Sequence, residues 1–211
     1  MLETANLSCV RGDRILFEEL SFSVQDGELV HVVGPNGAGK TSLIRMMCGL
    51  VAPAMGEVRW RGQNIRKQKE EFNSELLYLG HQLGIKAELT AVENLRISCA
   101  MSNQALADDD AWRALDEIGL RGREDLPTKV LSQGQQRRVA LARLLVSRAK
   151  LWILDEPFTA LDVKAVAQLE AVLGRHLASG GMIVLTTHQA FSLPQGRMRQ
   201  LVLENRRGIL Q

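Results

Sequence analysis

The chain has 211 residues, which suits one domain with a small inserted lobe and excludes two large domains. Hydrophobic residues make up 45% and charged residues 24%, which excludes the disordered, collagenous and disulfide-scaffold classes. The 26 basic and 24 acidic residues leave a net charge of +2, too small for the field with which proteins bind nucleic-acid phosphates, so we expect no nucleic-acid partner.

The cysteines and the N-terminal sequence indicate a cytoplasmic location. Cys9, Cys48 and Cys99 are widely spaced and form no C-x-x-C pattern, which predicts reduced, buried thiols. The N-terminal residues lack the basic start and the apolar stretch of a secretion signal. The longest charge-free stretch, residues 177–196, contains glycines, threonines and a proline and is not a bilayer span. A membrane role therefore requires another subunit.

The first third of the chain has the pattern of β-strands. Alternating apolar residues at 20–24 and 57–61, each beside a glycine-containing turn, predict an antiparallel sheet. Between them, the nearly continuous apolar run at 29–33 predicts a strand covered on both faces, followed by a glycine-rich turn and a helix.

The middle and end of the chain predict helices and further strands. Trp112, Leu115 and Ile118 recur at a spacing of three, which indicates an inserted helical lobe at about residues 92–133. The order helix 135–147, strand 151–154, helix 163–177 and strand 182–186 then predicts a parallel sheet with crossovers. Residues 200–211 predict a hairpin that turns at 205–208. The buried stripe predicted for the second helix is Val166, Leu169, Leu173 and Leu177.

A phosphate-binding loop lies between the buried strand and the helix after it. The pattern G-x-x-x-x-G-K-[ST] needs glycines so that backbone N–H groups converge on phosphate oxygens, a lysine to contact the β- and γ-phosphates, and a hydroxyl for Mg²⁺. Lys40 and Thr41 fill the last two roles, and we place the adjacent Ser42 with the nucleotide-binding residues. The matching residues are Gly34, Pro35, Asn36, Gly37, Ala38, Gly39, Lys40 and Thr41.

Two carboxylates follow the strand at 151–154. This edge of an α/β sheet is where ligands bind, so Asp155 is predicted to hold Mg²⁺ and Glu156 to act as general base on the attacking water. Two carboxylates can also form the catalytic pair of a glycosidase, in which both flank the scissile bond. Adjacent residues on a strand point to opposite sides, so Asp155 and Glu156 do not fit that arrangement.

A third motif is Leu131-Ser132-Gln133-Gly134-Gln135. Ser132 and Gln135 match an S-x-x-Q capping box that opens the next helix. A capped helix start beside a glycine is also an anion site, so the same residues can face a phosphate group.

These three motifs, in this order and separated by a helical lobe, resemble the nucleotide-binding subunits of ABC transporters. The fold implied is an α/β P-loop NTPase core of ABC type with an N-terminal antiparallel β subdomain and an inserted helical lobe, all in one domain, residues 1–211. The family signature is L-S-G-G-Q, and this chain departs from it at Gln133. The family also places an aromatic residue against adenine, and that position here is Arg11.

The resemblance implies roles for further residues. Gln82 resembles the Q-loop glutamine, a ligand of Mg²⁺ that is also catalytic, and His188 the switch histidine. Asp162 resembles the D-loop aspartate at the dimer interface. The family binds ATP and Mg²⁺, forms a dimer on ATP binding, and places the signature residues Ser132, Gln133, Gly134 and Gln135 against the nucleotide of the opposite subunit.

The stretch from Gly80 to Leu95 narrows the resemblance to the ATP-binding subunits of the bacterial cytochrome c maturation system, the haem-exporter type. This implies polytopic membrane partners and a peripheral place on the cytoplasmic face of the inner membrane. The residues themselves contain no C-x-x-C-H motif and no His or Cys pair at ligand spacing, so we expect no direct haem ligation. The apolar residues Leu83, Ile85, Leu89 and Val92 are predicted to be an exposed coupling surface.

Two alternatives remain open at this point. A soluble ABC-type ATPase without a membrane partner would carry the same motifs, although such proteins usually have two motif sets or a long coiled insertion. A P-loop kinase would use the phosphate loop but would leave the signature residues and His188 without a function.

Overall fold

The computed structural model describes residues 1–193, 197–204 and 207–210, without the side chain of Arg207. The strands are β1 (Leu2–Arg11), β2 (Arg14–Val24), β3 (Glu28–Val33), β4 (Met55–Trp60), β5 (Gln63–Asn64), β6 (Leu76–Leu79), β7 (Leu151–Asp155), β8 (Met182–Thr186), β9 (Arg197–Glu204) and β10 (Arg207–Leu210). The helices are α1 (Lys40–Met47), α2 (Lys69–Ser74), α3 (Ala91–Met101), α4 (Asp108–Glu117), α5 (Gln133–Val146) and α6 (Val163–Ala178), with a 3₁₀ turn at Thr128–Val130.

The strands form two sheets. An antiparallel sheet has the order β2-β1-β4-β5, and a second sheet has the order β10-β9-β3-β8-β7-β6. Strands β6, β7, β8, β3 and β9 are parallel to one another, and β10 pairs with β9 in the antiparallel sense. The carboxyl ends of β3, β7 and β8 therefore meet at one edge of the second sheet, and the parallel pairing of β7 with β8 agrees with the sequence prediction.

The six-stranded sheet lies between two hydrophobic clusters, so successive side chains of a central strand enter different cores. In β7, Leu151 and Ile153 pack with α1 and the antiparallel sheet, whereas Trp152 and Leu154 pack with the helices of the lobe. All residues of β7 and β8 are buried. Burial on both faces explains why these strands have continuous apolar sequences rather than alternating ones.

The predicted helical lobe contains two separate helices, α3 and α4, rather than one continuous helix. Residues 102–107 separate α3 from α4, which ends at Glu117 with Ile118 as its C-cap. Trp112 is 40% exposed, whereas Leu115, three residues later, is fully buried. In α6, Leu169, Leu173 and Leu177 are buried as predicted, and Val166 is only partly buried.

The prediction that residues 83–92 present four exposed apolar side chains is wrong for Val92, which is 4% exposed. Thr90 and Glu93 form a capping box that starts α3 at Ala91, and this turns Val92 into the lobe core. Ile85 also packs against that core. Leu83 and Leu89 are partly exposed, so part of the predicted apolar surface remains at these two residues.

The terminal hairpin is confirmed by the antiparallel pairing of β9 with β10. Its predicted turn falls on 205–208, of which Asn205 and Arg206 lie outside the described residues. Gly208 belongs to β10, opposite Leu203. The second strand therefore begins earlier than the sequence suggested.

All three cysteines are buried, and none forms a disulfide. Burial raises the pKa of the Cys99 thiol, which keeps it protonated and unreactive. Within the described ranges, no helix combines the length and apolar composition needed to cross a bilayer.

His176 makes the stability of the fold dependent on pH. Its ring stacks on Trp152 with centroids 3.6 Å apart, and its Nε2 lies 3.2 Å from the carbonyl oxygen of Lys150. Burial, the largest cause, lowers the pKa of His176 from 6.5 to about 4, although hydrogen bonds to backbone carbonyls oppose the shift. The folded state therefore favours the neutral ring. The stability that the neutral ring contributes is lost as the pH falls from about 6.5 towards 4, because the unfolded chain binds a proton at His176 more readily than the folded one.

We expect the unfolding free energy of His176→Phe to fall less between pH 7 and pH 4.5 than that of the wild type, by about 1–2 kcal/mol after discounting for partial exposure. Urea unfolding at a series of pH values measures this difference. His81→Phe, at an exposed histidine, is the matched control for replacing an imidazole by a phenyl ring. Parallel curves for His176→Phe and the wild type would contradict the prediction.

Candidate nucleotide-binding and catalytic site

A cleft of about 1350 Å³ opens at the carboxyl edge of the parallel strands. It is bounded by the phosphate loop, the hairpin between β1 and β2, the loop after β6 and the residues that follow β7 and β8. The predicted site residues that line it are Arg11, Asn36, Gly37, Gly39, Lys40, Thr41, Ser42, Gln82, Asp155, Glu156 and His188. The structure therefore brings together residues from five separate parts of the sequence.

The loop from Gly34 to Thr41 connects β3 to α1 and requires glycine at specific positions. Gly34 has φ 150°, and a Cβ there would lie 2.6 Å from the carbonyl oxygen of Leu203. Gly39 has φ 102° and is the N-cap of α1, with no side-chain hydrogen bond to the first turn. The first N–H groups of α1 are thus without a side-chain cap at the positive end of the helix, as an anion site needs.

Lys40 lies at the start of α1. Its Nζ donates to the carbonyl oxygens of Gly34, at 2.7 Å, and Pro35, at 3.1 Å. These bonds hold the ammonium group over the loop, so a positive charge and the N–H groups of α1 act on the same region. Gly34, Pro35 and Ala38 shape the loop without lining the cleft themselves.

Asp155 ends β7 and is 4% exposed. Its Oδ1 accepts a hydrogen bond of 2.6 Å from the hydroxyl of Thr186, its partner on β8. A buried carboxylate held by one short bond keeps a fixed orientation towards the cleft.

Glu156 has a left-handed backbone, with φ 53°, which is uncommon for a residue with a side chain. Its N–H donates to the carbonyl oxygen of Thr186 at 3.0 Å, which holds this turn. The side chain is 23% exposed and lines the cleft. The turn redirects the chain so that Asp155 and Glu156 both reach the cleft, although they are adjacent in sequence.

His188 lies opposite Glu156. Its Nε2 is 3.7 Å from Oε1 of Glu156, and its backbone N–H donates to Oε2 at 3.4 Å. The imidazole is 61% exposed on the cleft side. A carboxylate and an imidazole that can exchange a proton or orient a water therefore share one edge of the cleft.

Arg137 supports the site from below, and the sequence analysis missed it. It lies on α5, is 7% exposed and donates to the carbonyl oxygens of Asp155, Glu156 and Pro157. Burial lowers the pKa of Arg137, and the charges of Asp155 and Glu156 oppose that shift. The guanidinium thus holds the turn that carries both carboxylates. No sequence signal marked it, because its helix neighbour Arg138 looks the same in the sequence.

Other cleft residues were also not predicted. Arg14 is the register partner of Arg11 across the tight turn between β1 and β2, so two guanidinium groups lie at that end of the cleft. Tyr78 and Arg143 also line the cleft. Tyr78 and Arg143 reach the cleft because β6 and α5 pack beside the phosphate loop, an arrangement that the sequence does not show.

The signature residues lie outside this cleft. Ser132 caps α5: its Oγ accepts from the N–H of Gln135 at 3.3 Å, and its own N–H donates to the Gln135 side chain. Gln133 is the first residue of α5 and is not among the described residues with positive φ, so glycine is not required there. Gly134 is different, because a Cβ there would lie 3.0 Å from the carbonyl oxygen of Ala160.

Asp162 also lies outside the cleft. Its Oδ1 accepts from the N–H of Ala165 at 2.8 Å and caps α6, while its Oδ2 pairs with Arg138 at 2.6 Å. The segment before α6 is therefore fastened to α5, the helix that carries the signature residues.

Comparison with known proteins agrees with this geometry. The ABC transporter family model matches residues 17–159. Cytochrome c biogenesis ATP-binding export protein CcmA of Nitrosomonas europaea is 56% identical over 203 residues, covering 96% of this chain and 95% of the relative. The CcmA proteins of Dechloromonas aromatica and Vibrio cholerae are 54% and 49% identical over the same length, covering 96% of this chain and 100% and 98% of the relatives.

Solved structures have the same fold. The structure of an ATP-binding subunit of an ABC transporter superposes with a TM-score of 0.87 at 28% identity, covering 100% of this chain and 89% of the other. A dimeric ATP-binding cassette in a post-hydrolysis state, bound to ADP and Pi, gives 0.86 at 23% identity, covering 100% and 98%. The chain therefore belongs to the ABC transporter family of ATP-hydrolysing subunits and, within it, to the family of cytochrome c biogenesis ATP-binding export proteins.

Proposed function

We propose that this chain is the ATP-hydrolysing subunit of a membrane ABC complex for c-type cytochrome biogenesis, in which it drives haem export or the release of a haem-loaded chaperone. The observation that carries this proposal is the identity of 56% to a relative over 96% of the chain. A soluble ABC-type ATPase without a membrane partner has no observation in its favour. The chain acts peripherally, on the cytoplasmic face of the inner membrane, with polytopic membrane subunits.

In this proposal the phosphate loop, Lys40 and Ser42 bind the phosphates of ATP. The uncapped N–H groups of α1 and the ammonium group of Lys40 act on the same region, which supports this role. Arg11 contacts the base, since it lines the cleft beyond the loop and its guanidinium plane can stack on adenine.

The cleft also fits Mg²⁺. Mg²⁺ prefers oxygen ligands, and the cleft offers the carboxylate of Asp155, the hydroxyl of Thr41 and the amide oxygen of Gln82. Bound there with ATP, the ion would neutralise charge on the phosphates.

Glu156 is the general base in this proposal. Its partly exposed carboxylate faces the cleft, where it can accept a proton from a water placed between it and the γ-phosphate. His188 orients the reacting groups from the same edge of the cleft as Glu156, and Gln82 contributes from the loop after β6. Arg137 keeps Glu156 in position through the backbone.

The active unit is proposed to be a homodimer formed on ATP binding. Ser132, Gln133, Gly134 and Gln135 lie outside the cleft of their own chain, so they are free to face the nucleotide of a second subunit, with Asp162 near the interface. One structural relative is a dimer. Residues 1–211 form one nucleotide-binding domain in this arrangement, with a helical lobe at about 92–133.

Deletion of the encoding gene is expected to remove the haem-staining bands of c-type cytochromes, because in this proposal the chain supplies the ATP hydrolysis that drives the complex. Wild-type protein should restore the bands, and Glu156→Gln at equal expression should not. Affinity capture from solubilised membranes should recover polytopic proteins with the wild type. Normal c-type cytochromes in the deletion strain, with the chain recovered only in the soluble fraction, would favour the soluble alternative.

A further inference from the structure

His31 is a buried histidine that has no role in the proposed chemistry. It lies in the middle of β3 and is 9% exposed, between the apolar residues Val30 and Val32, which pack into the opposite core. Its Nε2 is 3.2 Å from the carbonyl oxygen of Thr187. A carbonyl oxygen only accepts, so we infer that Nε2 carries the proton and donates.

The bond from His31 holds one end of a particular peptide group. The Thr187 carbonyl and the His188 N–H belong to the same peptide, and that N–H donates to Oε2 of Glu156 at 3.4 Å. No described peptide bond is cis, and in a trans peptide the C=O and N–H point in opposite directions. His31 and Glu156 therefore hold this peptide from opposite sides.

The His31 ring is itself held in place. The ring of Phe191 meets it edge to face, with centroids 5.3 Å apart and planes at 73°. Phe191 also stacks on Phe158, at 5.2 Å and 24°. Phe158 is fully buried and lies two residues after Glu156, so these aromatic contacts connect His31 to both segments that carry catalytic groups.

We propose that His31 is a positioning residue for ATP hydrolysis: it fixes the Thr187–His188 peptide so that its N–H faces Glu156 and the His188 imidazole faces the cleft. The inference rests on the proposed roles of Glu156 and His188. Without the bond from His31, the peptide can rotate and turn its carbonyl oxygen towards the Glu156 carboxylate. Two negatively polarised oxygens repel, so both catalytic side chains would be displaced.

The test compares three substitutions of His31 in the purified full-length chain. Glutamine places an amide N–H close to the position of Nε2, asparagine retracts that amide, and methionine has a similar size but no donor. We expect His31→Gln to keep at least half of the wild-type kcat, and His31→Asn and His31→Met to lose about 5- to 20-fold. The KM for ATP should change less than about twofold in all three, because the phosphate loop is untouched.

Equal kcat values for His31→Gln and His31→Asn would overturn the proposal, whether both match the wild type or both fall together. A parallel rise in KM would do so as well, because it would mean a general disturbance of the cleft. If His31→Met does not fold, the glutamine and asparagine variants still decide the question. Glu156→Gln, measured beside them, separates the two hypotheses: if it remains active, the catalytic assignment itself fails.

Discussion

Glu156→Gln is expected to lower kcat for ATP hydrolysis by about 100-fold or more, while the Kd for ATP changes less than about twofold. The amide has the same shape and can still accept from the His188 N–H, but it does not take a proton from water. The left-handed turn at residue 156 is fixed through its own backbone: its carbonyl oxygen accepts from the Arg137 side chain, and its N–H donates to the carbonyl oxygen of Thr186. The substitution therefore leaves the turn in place. Steady-state turnover and titration with ATP give the two quantities.

Glu71→Gln makes the same change of charge on an exposed face of α2, away from the cleft. It should hydrolyse ATP at the wild-type rate, which excludes a general effect of charge. A Glu156→Gln variant that keeps a third or more of the wild-type kcat would rule out the role of Glu156 as the base.

Ser132→Arg and Lys40→Ala are each expected to abolish most hydrolysis, for different reasons. Lys40→Ala removes the charge held over the phosphate loop, so ATP affinity should fall at least about tenfold. Ser132→Arg leaves the cleft intact, and ATP affinity should stay near the wild-type value. If the signature residues serve the opposite subunit, the arginine blocks hydrolysis there instead.

Mixing the two inactive variants tests the dimer directly. A heterodimer has one site with an intact loop from one chain and an intact signature from the other, so it should regain up to about half of the wild-type activity. Ser132→Ala is the matched control for loss of the helix cap, which costs about 1 kcal/mol of stability, and it should retain most activity. Activity in the mixture no higher than the sum of the two variants would refute sharing of sites between subunits.

The phosphate loop could be located from the sequence because its requirements are local. Gly34 and Gly39 both have positive φ, a backbone conformation that glycine adopts without strain, and Lys40 contacts carbonyl oxygens of its own strand-loop-helix segment. The capping box of Ser132 and Gln135 is local for the same reason. Asp155 and Glu156 were predicted because they follow a continuous apolar strand, and the end of such a strand marks the ligand-binding edge of a parallel sheet.

Exposure was predicted less well, because it depends on what packs against a segment. Val92 looked like part of an exposed apolar loop until the start of α3 turned it into the lobe core. Trp112 had the spacing of a buried stripe, but the lobe does not cover it completely. Gln133 departs from the family signature, and only its place as the first residue of α5 explains why the chain accepts it.

The sequence by itself determined most of the groups that we propose to contact the nucleotide, and the tertiary structure decided which groups hold them in position. Arg137 reaches the carbonyl of Glu156 across 19 residues of sequence, and His31 reaches the carbonyl of Thr187 across 156. A side chain that binds a backbone carbonyl leaves no pattern in the sequence, since every residue at the far end offers the same carbonyl group. Only the packing of α5 and the pairing of β3 with β8 bring these donors and acceptors together.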